Sequence, residues 1–290
     1  MTAPTETTPD AEWNAARVAD ILLTSERTQT PRTSINAQWP GLTLDVAYTA
    51  QDIALADRKA HGERVVGVKL GLTSRAKQKQ MGVDVPSVAW LTDSMALPAG
   101  LPVPRSQLIH PRAEPEIAFV LGRDLRGPGV TAAQALAAVD RVLAAVEIID
   151  SRYSGFKFTL ADAVADNNSS GAYVTGPVAL DPGELDLGME ACLLEVDGHV
   201  VASATGAAVL GHPAEALAFA ANTFGARGHS LEAGWVVLTG GMTDAVAVEP
   251  GARVAAEESD VGVGQSREAS ASRDHQNRTA PALRTSRYAS

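Results

Sequence analysis

Glu114 and Glu116 open an otherwise apolar run, His110-Pro-Arg-Ala-Glu-Pro-Glu-Ile-Ala-Phe-Val-Leu. Residues two apart on a strand face the same side, so the two carboxylates point together, one pleat apart. Carboxylates held that close repel each other unless solvent or a cation intervenes. By spacing alone they read as two acids at a solvated strand end. Glu147 shifts the balance, because it lies inside Val142-Leu-Ala-Ala-Val-Glu-Ile-Ile, where a charge is costly unless paired or metal-bound. Three converging carboxylates offer hard oxygen ligands, which suit Mg²⁺ or Mn²⁺ with positions left for water or substrate. Lys69 sits within Val65-Val-Gly-Val-Lys-Leu-Gly-Leu. Buried there, it could bind a carboxylate or move a proton; at a sheet edge it would snorkel to solvent. The flanking Gly67 and Gly71 favour the buried role, since glycine inside a strand marks close approach by a backbone or a ligand.

Weaker signals surround these four. Asp166-Asn-Asn-Ser-Ser-Gly is a cluster of turn formers in which Ser169 could hydrogen-bond a substrate oxygen. Thr239-Gly240-Gly241 follows the strand-like Trp-Val-Val-Leu and could offer backbone amides to a carboxylate, although a plain turn accounts for it equally. The glycine spacing is neither that of a phosphate-binding loop nor that of a dinucleotide fingerprint. His212 opens a helix and reads as structural, and Cys192, the single cysteine, reads as a buried inert thiol.

The elements that must hold these residues follow from periodicity. Apolar spacing predicts helices over Ala11 to about Ser25, Thr43 to His61, Thr131 to about Ala145 and Pro213 to about Ala226. Between them, from Arg64 onward, lie short β-rich runs punctuated by Gly, Pro and Asp. Asp197-Gly198 marks a hairpin. Strands in runs with inserted helices indicate an α+β fold with a mixed sheet. The expected organisation is a disordered lead (1–10), a helical N-terminal segment (11–63), a metal-binding β domain (64–263) and a disordered, Ser- and Arg-rich tail (264–290). With 45% apolar residues a core can be built, and a net charge of −10 argues against a basic nucleic-acid surface. The sequence has no apolar run of membrane-spanning length and no secretory pattern at its start, so the expectation is a cytoplasmic protein.

Several motifs, taken together and in order, carry a family resemblance. Gly67-Val-Lys-Leu-Gly-Leu-Thr-Ser, Glu114-Pro-Glu-Ile-Ala, Glu147-Ile-Ile-Asp-Ser-Arg-Tyr, Ala165-Asp-Asn and Leu210-Gly-His-Pro resemble the hydratase/decarboxylase branch of the fumarylacetoacetate hydrolase superfamily. The similarity runs from about Ala11 to Val263. It implies a mixed β-roll or barrel core and a divalent metal, Mg²⁺ or Mn²⁺, on Glu114, Glu116 and Glu147, with Lys69 as the catalytic lysine. Ser74-Arg-Ala-Lys-Gln-Lys-Gln-Met-Gly-Val, Ile149-Asp-Ser-Arg-Tyr-Ser-Gly-Phe-Lys-Phe and Gly206-Ala-Ala-Val-Leu-Gly-His-Pro lean towards the decarboxylases. So does Ser87, where the hydratases tend to carry Asp. The implied reaction is loss of CO₂ from 2-oxohex-3-enedioate, giving 2-hydroxypenta-2,4-dienoate, in aromatic catabolism. Hydration of 2-oxopent-4-enoate is the alternative, and a non-catalytic partner subunit of a hydratase complex is another. Ser169, Thr239, Gly240 and Arg152 are the candidate substrate contacts, with Arg152 or Lys157 for the departing carboxylate. The resemblance also implies a homo-oligomer, possible association with a homologous hydratase, and no membrane or nucleic-acid partner. Asp260-Val-Gly-Val-Gly-Gln-Ser-Arg-Glu departs from the family's apolar last strand, which predicts a shortened or replaced strand there.

Overall fold

The computed structural model describes residues 13–260 and 262–268. The expected lead and the tail beyond Glu268 lie outside the described residues. The chain begins with α1 (Ala15–Arg27), α2 (Ile35–Gln38) and α3 (Leu44–Ala60). Asn14 caps α1 by accepting from the Arg17 amide, and Thr43 caps α3 by accepting from Val46. Val18 and Leu22 of α1 pack with Ala47 and Ala50 of α3 around Ile35 and Leu42, forming a separate small core.

The rest of the chain runs β1 (Val65–Gly71), α4 (Arg75–Met81), β2 (Ser87–Thr92), β3 (Pro102–Val103), β4 (Arg112–Leu121), α5 (Ala132–Leu136), β5 (Val139–Ile149), α6 (Leu160–Ala165) and β6 (Ser170–Thr175). It continues through β7 (Ala191–Val196), β8 (His199–Thr205), α7 (Pro213–Ala226), β9 (Val236–Leu238), β10 (Val246–Ala247), β11 (Arg253–Glu258) and β12 (Gly262–Glu268). One sheet of seven strands has the order β2-β1-β9-β4-β5-β6, with β10 against the start of β4. Its β1–β9 pair is parallel and its other pairs are antiparallel, as a mixed sheet requires. A second sheet of five runs β3-β12-β11-β7-β8. The two share one apolar core, to which β4 contributes Ile117 and Phe119, β7 contributes Leu194 and β11 contributes Val254. The α+β class and the β-roll expected from the sequence are both present.

Strand alternation sorts β4 cleanly. Ala113, Ile117 and Phe119 enter the main core, so Glu114, Glu116 and Ala118 turn to the opposite face. On β5, Val142, Ala144, Val146 and Ile148 enter the core, leaving Ala145 and Glu147 on that same opposite face.

The expected helix over Thr131 to Ala145 is corrected. Thr131 does cap a helix, through a capping box with Gln134, but α5 ends at Leu136 and Val139–Ile149 is a central strand. The alanines there give helical propensity, yet the strand pairs with β4 from Val139 to Ile149 and with β6 from Ala145 to Ile149, and Val139, Val142, Val146 and Ile148 are buried. That tertiary pairing outweighs a weak local preference. The tail boundary at Gly264 is corrected too. β12 runs through Glu268, antiparallel to β11 and parallel to β3, so the last strand is present despite its polar sequence. The Asp197-Gly198 turn joins β7 to β8 with both residues at positive φ, 52° and 80°, as a two-residue hairpin loop demands. Among the described residues no helix is long and apolar enough to cross a membrane.

Candidate metal centre and substrate cavity

In the β4–β5 register Glu114 lies opposite Glu147, while Glu116 lies opposite Ala145. The third carboxylate is therefore delivered by strand pairing. One oxygen from each of Glu114, Glu116 and Glu147 falls within 4.8 Å of the others. Glu116 is 0% exposed and Glu147 1%. The Glu116 Oε2 accepts from the Gly240 amide at 2.6 Å, while Glu116 Oε1 and Glu147 Oε2 have no hydrogen-bond partner among the described residues. Burial, together with repulsion from Glu147 and Glu114, pushes the Glu116 carboxyl well above the usual carboxylate range. Burial raises Glu147 as well, against the opposing pull of Lys69. Buried oxygens without partners, gathered among like charges, fit a hard divalent cation, which would satisfy the lone pairs and cancel the repulsion.

Lys69 is buried at 3% exposure. Its Nζ lies 3.0 Å from Glu147 Oε1 and donates to the Asn168 carbonyl at 2.8 Å. Lys77, on α4, donates to Glu114 Oε1 at 2.7 Å. Burial opposes the charge on Lys77, but the Glu114 carboxylate prevails and holds its pKa above the ordinary value. The sequence reading missed Lys77. Its signal was the Ser74 cap and the left-handed Gly82 that bracket a short helix.

A cavity of about 390 Å³ opens above this group, lined by Lys69, Lys77, Arg112, Glu114, Phe156 and Phe158 among others. Gly67 and Gly71, which sequence spacing singled out together, serve different ends. A Cβ at Gly67 would collide with the Val236 carbonyl, so that glycine admits the neighbouring strand. A Cβ at Gly71 would stand 3.0 Å from Ser87 Oγ and 3.3 Å from Asn168 Nδ2, inside the cavity. Both the Ser87 hydroxyl and the Asn168 side-chain amide are buried there without hydrogen-bond partners among the described residues. Asn167, Asn168 and Ser169 are held in succession at φ of 48°, 50° and 58°. Such a run is uncommon outside glycine and gathers at functional sites. Trp90 secures it through two backbone hydrogen bonds with the Asn167 side chain.

The remaining predicted contacts divide. Ser169 lines the cavity, although its hydroxyl already lies 3.3 Å from Asp166 Oδ2. The Thr239 hydroxyl donates to the Ile117 carbonyl at 2.8 Å, and it faces β4 instead of the cavity. The Gly240 amide does meet a carboxylate, but that of Glu116, so it positions a protein group. Arg152 is corrected outright. Its guanidinium is buried beneath the site against Asp166 and the Asp150 and Ser170 carbonyls, and it does not line the cavity. Lys157 is exposed and outside the cavity lining. Cys192 is buried as expected, and burial pushes its thiol up to about 12.

Comparison with known proteins follows the same lines. The family model described as fumarylacetoacetate (FAA) hydrolase C-terminal matches residues 64–267. A 4-oxalocrotonate decarboxylase of Pseudomonas sp. (strain CF600) is 45% identical over 217 residues, covering 75% of this chain and 82% of its own. A 2-hydroxyhexa-2,4-dienoate hydratase of Comamonas testosteroni is 43% identical over 233 residues, covering 80% and 87%. Among solved structures, 4-oxalocrotonate decarboxylase from Pseudomonas putida G7, complexed with magnesium and adipate, superposes with a TM-score of 0.85 at 38% identity. That alignment covers 88% of this chain and 97% of the other.

Proposed function

Because the chain belongs to the fumarylacetoacetate hydrolase family, we propose that it is a divalent-metal-dependent lyase that removes CO₂ from 2-oxohex-3-enedioate. The observation that carries this reading is the buried carboxylate triad, joined to Lys69, beneath a cavity of about 390 Å³. That volume suits a small organic acid. Similarity to decarboxylases, one of them complexed with magnesium, supports it.

Glu114, Glu116 and Glu147 would hold Mg²⁺ or Mn²⁺. Bound there, the ion supplies positive charge against the oxyanion that develops on the C2 oxygen. Gly240 and Lys77 keep two of the glutamates oriented through their hydrogen bonds. A lysine ammonium has three donors. Lys69 directs two at Glu147 and the Asn168 carbonyl, which leaves one for the C2 oxygen of the substrate. When the C5–C6 bond breaks, CO₂ departs and the electron pair becomes the C4–C5 double bond. The C3–C4 pair shifts to C2–C3, and the carbonyl pair moves onto the C2 oxygen. Lys69 delivers a proton to that oxygen and recovers one from water, giving 2-hydroxypenta-2,4-dienoate. Phe156 and Phe158 exclude water from the middle of the substrate chain.

A hydratase reading uses the same groups and adds water at C4 of the dienoate. The Asn168 side-chain amide, without a partner among the described residues, could hold that water, and the similarity to a hydratase supports the reading. We further propose that the protein forms homo-oligomers and associates with a homologous hydratase. The deciding experiment supplies 2-oxohex-3-enedioate with Mg²⁺ and follows ultraviolet absorbance and CO₂ together. CO₂ release with formation of the dienoate supports the decarboxylase. Absence of CO₂, with consumption of supplied 2-hydroxypenta-2,4-dienoate, makes it a hydratase, and inertness towards both compounds rejects the lyase reading.

A further inference from the structure

We infer that Arg112 recognises the distal carboxylate of the substrate and so selects a six-carbon diacid over a monoacid; the inference rests on the 2-oxo acid lyase reading above. A dianionic substrate needs two cationic anchors. The triad end provides one, and the second must be a basic group facing the same cavity. Lys69 and Lys77 line that cavity, but Glu147 and Glu114 already engage them. Arg152 is turned away onto Asp166. Arg112 also lines the cavity, and among the described residues it has no carboxylate partner within ion-pair distance.

Its position follows from β4. Arg112, Glu114 and Glu116 alternate onto one face, so the guanidinium and the carboxylates border the same space. A strand advances about 6.7 Å over two residues. The terminal carboxyl carbons of an extended six-carbon diacid stand about 6 Å apart, from C–C bonds of about 1.5 Å. A substrate whose 2-oxo acid head sits at the triad and whose chain runs along β4 therefore brings its far end to Arg112. Ile149, opposite Arg112 in the register, also lines the cavity and gives the chain an apolar floor.

The arginine is also held ready. Its guanidinium carbon stands 4.1 Å from the centre of the Phe156 ring, and that ring packs against His110 with centroids 4.9 Å apart. Stacking of this kind fixes the guanidinium plane and lowers the ordering cost of binding a carboxylate. Arg112 and Phe156 together separate the main cavity from an outer recess of about 210 Å³. The guanidinium thus stands at an opening, where a carboxylate can be received without full desolvation.

The test uses two unreactive six-carbon probes, 2-oxoadipate and 2-oxohexanoate, which differ only in the distal carboxylate. Their dissociation constants are measured calorimetrically on the Mg²⁺-loaded protein. Wild-type protein should prefer 2-oxoadipate. Arg112→Gln should weaken 2-oxoadipate by about ten- to a hundredfold, the range for a charged hydrogen bond, and change 2-oxohexanoate by about twofold or less. Arg112→Lys should restore part of the preference. An unchanged ratio in Arg112→Gln, at an unchanged melting temperature, overturns the inference, as does equal weakening of both probes. If Arg112→Gln does not fold, Arg112→Lys and Phe156→Leu carry the same comparison, and a wild-type ratio in both overturns it. The CO₂ assay separates the two claims. Arg112-dependent preference without CO₂ release would remove the decarboxylase reading alone, whereas CO₂ release with an Arg112-independent ratio would remove only the inference.

Discussion

Glu116 is the residue on which metal chemistry and stability meet. Its carboxyl is buried and lies between two other carboxylates, so it is raised well above the ordinary range. Glu116→Gln keeps the shape and an acceptor for the Gly240 amide but removes the charge. Mg²⁺ affinity should fall by at least about a hundredfold and kcat by orders of magnitude, checked by calorimetry and the CO₂ assay. Stability without metal should move the other way. The folded pKa values of Glu116 and Glu147 are raised, so between the unfolded value, about 4.3, and those raised values the folded chain binds more protons than the unfolded one. Their ionisation then costs stability as pH rises. The metal-free Gln variant should match wild type in acid, and its melting temperature should increasingly exceed wild type's as pH rises above the unfolded carboxylate value of about 4.3. Saturating Mg²⁺ should reverse that order, because only wild type is stabilised by binding. A gap that shrinks with rising pH would contradict the assignment of raised pKa values.

At the scale of elements, the turn between α6 and β6 is held from below by Arg152. That side chain braces Asp166 and the Asp150 and Ser170 carbonyls. From above, Gln51 of α3 donates at 3.0 Å to both the Val88 and Val164 carbonyls, tying β2 to α6. Arg152→Ala leaves Asp166 buried without its countercharge and should cost about 3–5 kcal/mol, read by urea unfolding with the m-value unchanged. Lys157→Ala, at an exposed position, should change stability by about 0.5 kcal/mol or less and leave KM as it is. A large rise in KM for Lys157→Ala would return that residue to substrate binding. β5 is the element the sequence misrepresents most. Ala144 and Ala145 suit a helix locally, but the strand they join is paired on both sides and carries Glu147 to its place opposite Glu114.

For the molecule as a whole, β8 is an edge of the five-stranded sheet, unpaired on its outer side among the described residues. Val200 is 54% exposed and Val201 50%, next to Leu193 at 38%. An unpaired edge carrying apolar side chains invites association with a second copy. If the proposed homo-oligomer forms there, Val201→Lys should lower the mass found by light scattering while leaving the melting temperature of the protomer within about 2 °C. An unchanged mass would move the interface elsewhere. The N-terminal helical layer belongs to the same scale. Its own small core includes Tyr153, Val164 and Ala165, so it supports the turn that presents Asn168 and Ser169 to the cavity.

Much of the site is local information. The alternation that puts Glu114 with Glu116, the apolar surroundings of Lys69 and Glu147, the caps at Thr43 and Thr131 and the Asp197-Gly198 turn are all settled within a few residues of chain. Ordered motifs were sufficient to identify the family. What the sequence did not disclose depends on pairing between distant segments. Strand register put Glu147 opposite Glu114, and α4 brought Lys77 to Glu114. The inward turn of Arg152 was equally hidden, because a charged residue in a polar stretch reads as surface until Asp166 is found beside it. Alternation and capping follow from neighbouring dihedral angles, whereas the partner of each charge is chosen by which strands pair and in what register. The triad's residues were therefore legible one by one, and their convergence was decided by the sheet.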